Sequence, residues 1–135
     1  MTDTTPTESN LSGLDRKDFQ KNINSRKTDL YILKNAQGME VAVTNYGCAI
    51  LSIMVPDKNG KFANVILGHD SIEHVINSPE PFLSTTIGRY GNRIANGKFT
   101  LYGEEHQLTV NNGPNSLHGG PTGFHARVWD AVQPN

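Results

Sequence analysis

Cysteine is almost missing: Cys48 is the single one in 135 residues, so no disulfide can close within the chain. It lies in the apolar run YGCAILSIMV, a setting for a buried, inert thiol rather than a nucleophile. An excess of either charge is missing too. Twelve Lys plus Arg stand against thirteen Asp plus Glu, scattered rather than blocked. That balance gives no electrostatic footprint for nucleic acid or an anionic membrane. No apolar run reaches the ~18–20 residues of a membrane span, and MTDTTPTESN has no signal-peptide core. The location implied is cytoplasmic. Sustained helical periodicity is absent, which removes the α/β crossover folds. There is no GxGxxG between strand and helix, no GxxxxGK[ST], no GxSxG elbow and no HExxH. His118 and His125 lack metal-ligand companions, so no metal, nucleotide cofactor or catalytic nucleophile is assigned.

What remains is strand and turn. Residues 1–12 are rich in Thr, Ser, Asp, Glu and Pro and read as a flexible leader; residues 13–135 read as one domain. Leu14 to Asn24 is either a short helical turn packing Phe19 or an irregular approach to the first strand. TDLYILKN and MEVAVTN form a hairpin across Asn35–Gly38, with Met39, Val41 and Val43 on one side. CAILSIMVP is a third strand closed by Pro56, and the DKNG turn returns the chain through KFANVILG. SIEHVINSP holds a short helical piece with Ser71 as its N-cap. Phe82 to Ile87 is a strand or a loop; GKFTLYGEEHQLTV is a compact hairpin turning at Tyr102-Gly103-Glu104. RVWDAVQPN at the end reads as a strand just entered. The class is all-β, an antiparallel meander.

Chemistry concentrates in GRYGNRIANGKF, Gly88 to Phe99, and NNGPNSLHGG, Asn111 to Gly120. Arg93 is a fixed-charge fork of donors, Asn92 both donates and accepts, and the His118 imidazole can donate to or accept from a hydroxyl. Glycines around them let the backbone turn tightly and a ligand approach. Such a set suits a small ligand rich in hydroxyls. Arg89, four residues before Arg93, is an auxiliary candidate. The alternatives are that the arginines pair with surface acids and that His118 is bonded to nearby backbone. His69, His74, His106 and His125 read as solvated or locally bonded, and Asp57 and Asp70 as turn or loop residues. No carboxylate in these segments is placed to act as a base.

The motifs GRxxNRIxxGxF and LHGGxxGF, at this separation, resemble the N-terminal part of the aldose 1-epimerase (galactose mutarotase) family. The resemblance covers nearly everything after the leader. It implies an incomplete N-terminal part of an antiparallel β-sandwich of the galactose mutarotase type. The implied activity is interconversion of the α and β anomers of free aldohexoses such as galactose and glucose, with no cofactor. It further implies that Asn92, Arg93 and His118 contact the sugar, with Arg89 less securely placed. Gly91 stands where alanine is common. The family's second histidine, late glutamate and sugar-binding aspartate have no counterpart in these 135 residues. The chain is therefore expected to be inactive alone, with uncovered strands that pack on the remainder of the sandwich or on a second copy. Two other readings stay open: a non-catalytic carbohydrate-binding module, and a relative of hexose-6-phosphate 1-epimerases.

Overall fold

The computed structural model describes residues 10–132, so the expected leader lies mostly outside the described residues. The ambiguous stretch after it contains a 3₁₀ turn, Arg16–Phe19. The Asp15 carboxylate caps that turn by accepting the Lys17 N–H at 3.0 Å. Phe19 is fully buried at its end, and the Thr28 hydroxyl donates to its carbonyl at 2.7 Å. A two-stranded ribbon follows, β1 (Asn22–Ile23) with β2 (Arg26–Lys27).

The main sheet is an antiparallel meander in chain order: β3 (Leu30–Lys34), β4 (Glu40–Thr44), β5 (Ile50–Pro56) and β6 (Phe62–Asn64). Short polar side chains build its turns. Asn35 Oδ1 accepts from the amides of Gln37 and Met39, and Asp57 Oδ1 from those of Asn59 and Lys61. After the sheet, Ser71 caps α1 (Ile72–Ile76) as the sequence predicts, its hydroxyl accepting the His74 N–H at 3.3 Å. Phe82 to Ile87 contains turns and no strand. The remaining strands are β7 (Arg93–Ile94), β8 (Lys98–Leu101), β9 (Glu104–Gln107) and β10 (Ser116–Leu117). β8 pairs with β9 across the expected turn, and β7 pairs with β10.

The two faces of the main sheet differ in an unexpected way. Val41 and Val43 share a face, as predicted, but the better-buried face is the opposite one. Leu30, Ala42 and Thr44 lie on it, and Glu40 is also fully buried there. A register shift between Ala42 and Val43 leaves Leu51 opposite no single partner, so adjacent Leu51 and Ser52 are both buried. Phe19, Ile72 and Val75 close this core, with Leu14, Ile23 and Ile32 packed around it. The face of Tyr31, Leu33, Val41, Val43 and Ile53 is only half-buried, and Leu33 is 51% exposed. The Glu40 carboxylate accepts the Leu11 and Ser12 amides at 2.9 and 3.1 Å, which fastens residues 11 and 12 to β4.

Among its described residues the last segment is not the strand its pattern predicts. It touches Asn45–Gly47 through one isolated bridge, Tyr46 opposite Val128. The Gly47 amide donates to Arg127 O at 2.7 Å and the Trp129 amide to Asn45 O at 2.8 Å. The Tyr46-Gly47 turn then carries the neighbouring backbone away, so the pairing stops after one step.

Candidate functional site

Two-residue strands are too short to form without help, and side-chain amides supply it around β7 and β10. Ile94 lies opposite Ser116 and Arg93 opposite Leu117. Asn111 brackets β10: its Oδ1 accepts the Leu117 N–H at 2.7 Å and its Nδ2 donates to Leu117 O at 3.0 Å. That amide stands in for a neighbouring strand. The pairing runs one step further, with the His118 N–H donating to Asn92 O at 3.0 Å.

The His118 ring then folds back on the same residue. Its Nδ1 accepts the Asn92 N–H at 3.0 Å. An acceptor Nδ1 must keep its lone pair, so the proton of the neutral ring sits on Nε2. The predicted alternative of a backbone-bonded histidine is therefore half true: one nitrogen is held and the other is left as a directed donor. Asn92 and His118 both have positive φ, 54° and 52°. Asn visits that region readily; His does so at a cost, which the two reciprocal hydrogen bonds offset.

Arg93 is fixed from its other side. Its Nε donates to Asn112 Oδ1 at 2.8 Å and one terminal nitrogen reaches Asn92 Oδ1 at 3.4 Å. Both partners are neutral amides. Among the described residues no carboxylate pairs with Arg93, so its charge stays available at an exposed position. Asn92, Arg93 and His118 thus form one hydrogen-bonded group. Arg89 makes a different contact: its guanidinium carbon lies 5.8 Å from the centre of the Phe124 ring.

Two aromatic residues behind this group escaped the sequence reading. The Phe82 ring stands 4.9 Å from the His118 ring and 4.5 Å from that of His125, a wedge between two imidazoles. His125 was expected to be solvated or locally bonded, and neither holds. It is 6% exposed, and its Nδ1 has no hydrogen-bond partner. Burial, and then the nearby His118, lowers its pKa from the ordinary histidine value. Its burial comes from Phe82 and from Gly123, where Nδ1 sits 3.1 Å from the position a Cβ would take. No sequence pattern signals that packing. Asn112, which holds Arg93, was also missed.

The remaining candidates are local. His74 pairs with Asp70 at 2.6 Å on the surface, and His106 stacks on Phe99 at 5.0 Å. Burial pushes the Cys48 thiol up, with a hydrogen bond to Thr86 acting the other way, which weakens it as a nucleophile. Among the described residues no group of three or more His, Cys, Asp or Glu could hold a metal ion, and no helix is long and apolar enough to cross a membrane.

Residues 29–135 match the family model of aldose 1-epimerase. The galactose mutarotase of Bos taurus is 43% identical over 91 residues, which are 67% of this chain and 26% of that protein. The aldose 1-epimerase of Escherichia coli (strain K12) is 41% identical over 106 residues, 78% of this chain and 30% of that one. Among solved structures, a GalM/aldose epimerase homologue from C. elegans superposes with a TM-score of 0.73 at 33% identity, covering 80% of this chain and 33% of its own. The galactose 1-epimerase of Lactobacillus acidophilus gives 0.68 at 33% identity, covering 82% and 31%. The antiparallel sheets described above are thus part of the galactose mutarotase β-sandwich, and the chain spans about a quarter to a third of its relatives' length. On the match of residues 29–135, the chain belongs to the aldose 1-epimerase family.

Proposed function

We propose that this chain carries the sugar-holding side of an aldose 1-epimerase site that acts on free hexoses such as galactose and glucose in the cytoplasm. The observation that carries this reading is the joined group of Asn92, Arg93 and His118. His118, held at Nδ1, keeps its proton on Nε2, and Arg93 keeps an unneutralised guanidinium in the same hydrogen-bonded group. Mutarotation removes a proton from the anomeric hydroxyl, protonates the ring oxygen, opens the C1–O5 bond and recloses the ring on the other face of the aldehyde. Directed donors beside the sugar favour the charge that develops on oxygen. In this reading Arg93 and His118 bind and polarise, and the proton-transfer pair is not drawn from these residues. The half-buried face of Tyr31, Leu33 and Val41 is where the second layer of a sandwich packs.

Galactose titrated into ¹⁵N-labelled chain should shift the resonances of Arg93 Nε and the Asn92 amide, and His118→Ala should abolish both shifts. No shift at tens of millimolar sugar would remove the sugar-binding reading. A second reading, a binding module without catalysis, has its own support. Among the described residues no carboxylate hydrogen-bonds to the group. Polarimetry on fresh α-galactose separates the two readings. Mutarotation by this chain that vanished in His118→Ala would show that proton transfer is complete within it.

A further inference from the structure

The arginine that the sugar group leaves out lines a second feature. Arg89, Arg26 and Arg127 come together from three parts of the chain around a hollow of about 530 Å³, walled by Phe124 and Trp129. That volume lies within the ~300–1,000 Å³ usual for small-molecule sites. The walls are rigid: the two rings meet edge to face at 5.1 Å, and the Trp129 indole N–H donates to Phe124 O at 3.2 Å. Arg26 is anchored by donating to Val128 O at 3.0 Å and to Asp130 Oδ1 at 3.3 Å. Arg127 uses only its Nε, on Thr122 O, and Arg89 stands over the Phe124 face. Among the described residues neither Arg89 nor Arg127 is paired with a carboxylate.

We propose that this hollow binds the phosphate group of a small molecule. Three guanidiniums and one carboxylate line it, a formal charge of 3 − 1 = +2, which matches a phosphate monoester dianion. Guanidinium donors arriving from β2, from the glycine segment and from the last segment surround an oxyanion with several oxygens; a flat carboxylate could engage only some of them. The aromatic walls lower the local dielectric, which strengthens those contacts. This inference concerns residues outside the Asn92, Arg93 and His118 group and stands or falls separately from the sugar reading.

Trp129 is the only tryptophan, so its fluorescence reports on the hollow directly. Inorganic phosphate added at constant ionic strength should change that fluorescence saturably, while chloride should not. Arg89→Gln and Arg127→Gln should each weaken phosphate binding about ten-fold, the effect of losing one charge-assisted contact. Arg127→Lys should recover part of the loss, and Arg93→Gln should leave phosphate binding unchanged. Circular dichroism of each variant checks that the fold is kept. Equal responses to phosphate, acetate and chloride, or parent-like phosphate binding by both glutamine variants, would overturn the proposal.

Discussion

Replacing Gly119 with alanine tests how tightly the segments around the site are pressed together. Gly119 has φ +87°, and a Cβ there would overlap the Gly88 carbonyl oxygen and stand 2.7 Å from its carbon. Two costs add. Holding an alanine in the left-handed region costs about 1–2 kcal/mol. Moving the Gly88–Arg89 backbone aside costs about 1–3 kcal/mol more, as for other overpacked sites. Gly103 separates these terms, because it has φ +82° and nothing within 4 Å of its Cβ position. Gly103→Ala should therefore cost only the first, about 1–2 kcal/mol. Gly91 has open space at its Cβ position and no left-handed φ, so Gly91→Ala should be neutral or stabilise by about 0.4–1 kcal/mol. Urea unfolding of the three variants gives the comparison. With a slope of roughly 2 kcal/mol per molar, that further ~1–3 kcal/mol lowers the Gly119→Ala midpoint below that of Gly103→Ala by about 0.5–1.5 M. Equal midpoints for Gly119→Ala and Gly103→Ala would refute the close approach of Gly119 to Gly88. The Asn92 amide resonance should also move in Gly119→Ala and stay in place in Gly103→Ala, since His118, which bonds that amide, precedes the displaced residue.

Three other outcomes follow from described contacts. Glu40→Ala strips the buried acceptor from the Leu11 and Ser12 amides and should cost about 2–4 kcal/mol in urea unfolding, with faster hydrogen exchange at those two amides. Unchanged exchange there would show that Glu40 does not hold the segment. Asn112→Ala frees Arg93 Nε and should weaken galactose binding about five- to ten-fold in the NMR titration while leaving the melting temperature nearly unchanged. Parent-like affinity would mean that Arg93 is ordered without Asn112. For His125, burial sets the folded-state pKa below the unfolded one. The unfolded chain then binds the extra proton first, so this contribution to stability is complete above about pH 6.5 and is lost as pH falls through the folded value. Melting temperature measured downward from pH 7 should decline less steeply in His125→Gln than in the parent; identical slopes would contradict it.

How far the sequence could be read depended on the range of the interactions involved. The meander was legible because alternation in TDLYILKN and MEVAVTN, and turn chemistry at Asn35 and Asp57, act within a few residues. Ser71 was legible as a cap for the same reason. Which face of β4 would be covered was not. Both faces carry apolar side chains, and the choice is made by Phe19 and α1 packing from outside the sheet. The candidate residues were nameable from their chemistry and from the two motifs. Their assembly depends on β7 pairing with β10, a two-residue ladder too short to leave a periodic pattern. His125 was misjudged because its burial is made by Phe82 and by the close backbone at Gly123, neither of which marks the residue itself.

The bond from the Asn92 main-chain amide to His118 Nδ1 bears on how this site tolerates change over time. Any amino acid at position 92 except proline supplies that N–H. The tautomer of His118 is therefore insulated from drift in its neighbour's side chain, provided the backbone turn there is kept. A substitution at position 92 can alter the side chain beside Arg93 while the imidazole keeps its proton on the same nitrogen. Proline, which has no N–H to give and cannot adopt the positive φ of Asn92, should disturb both together.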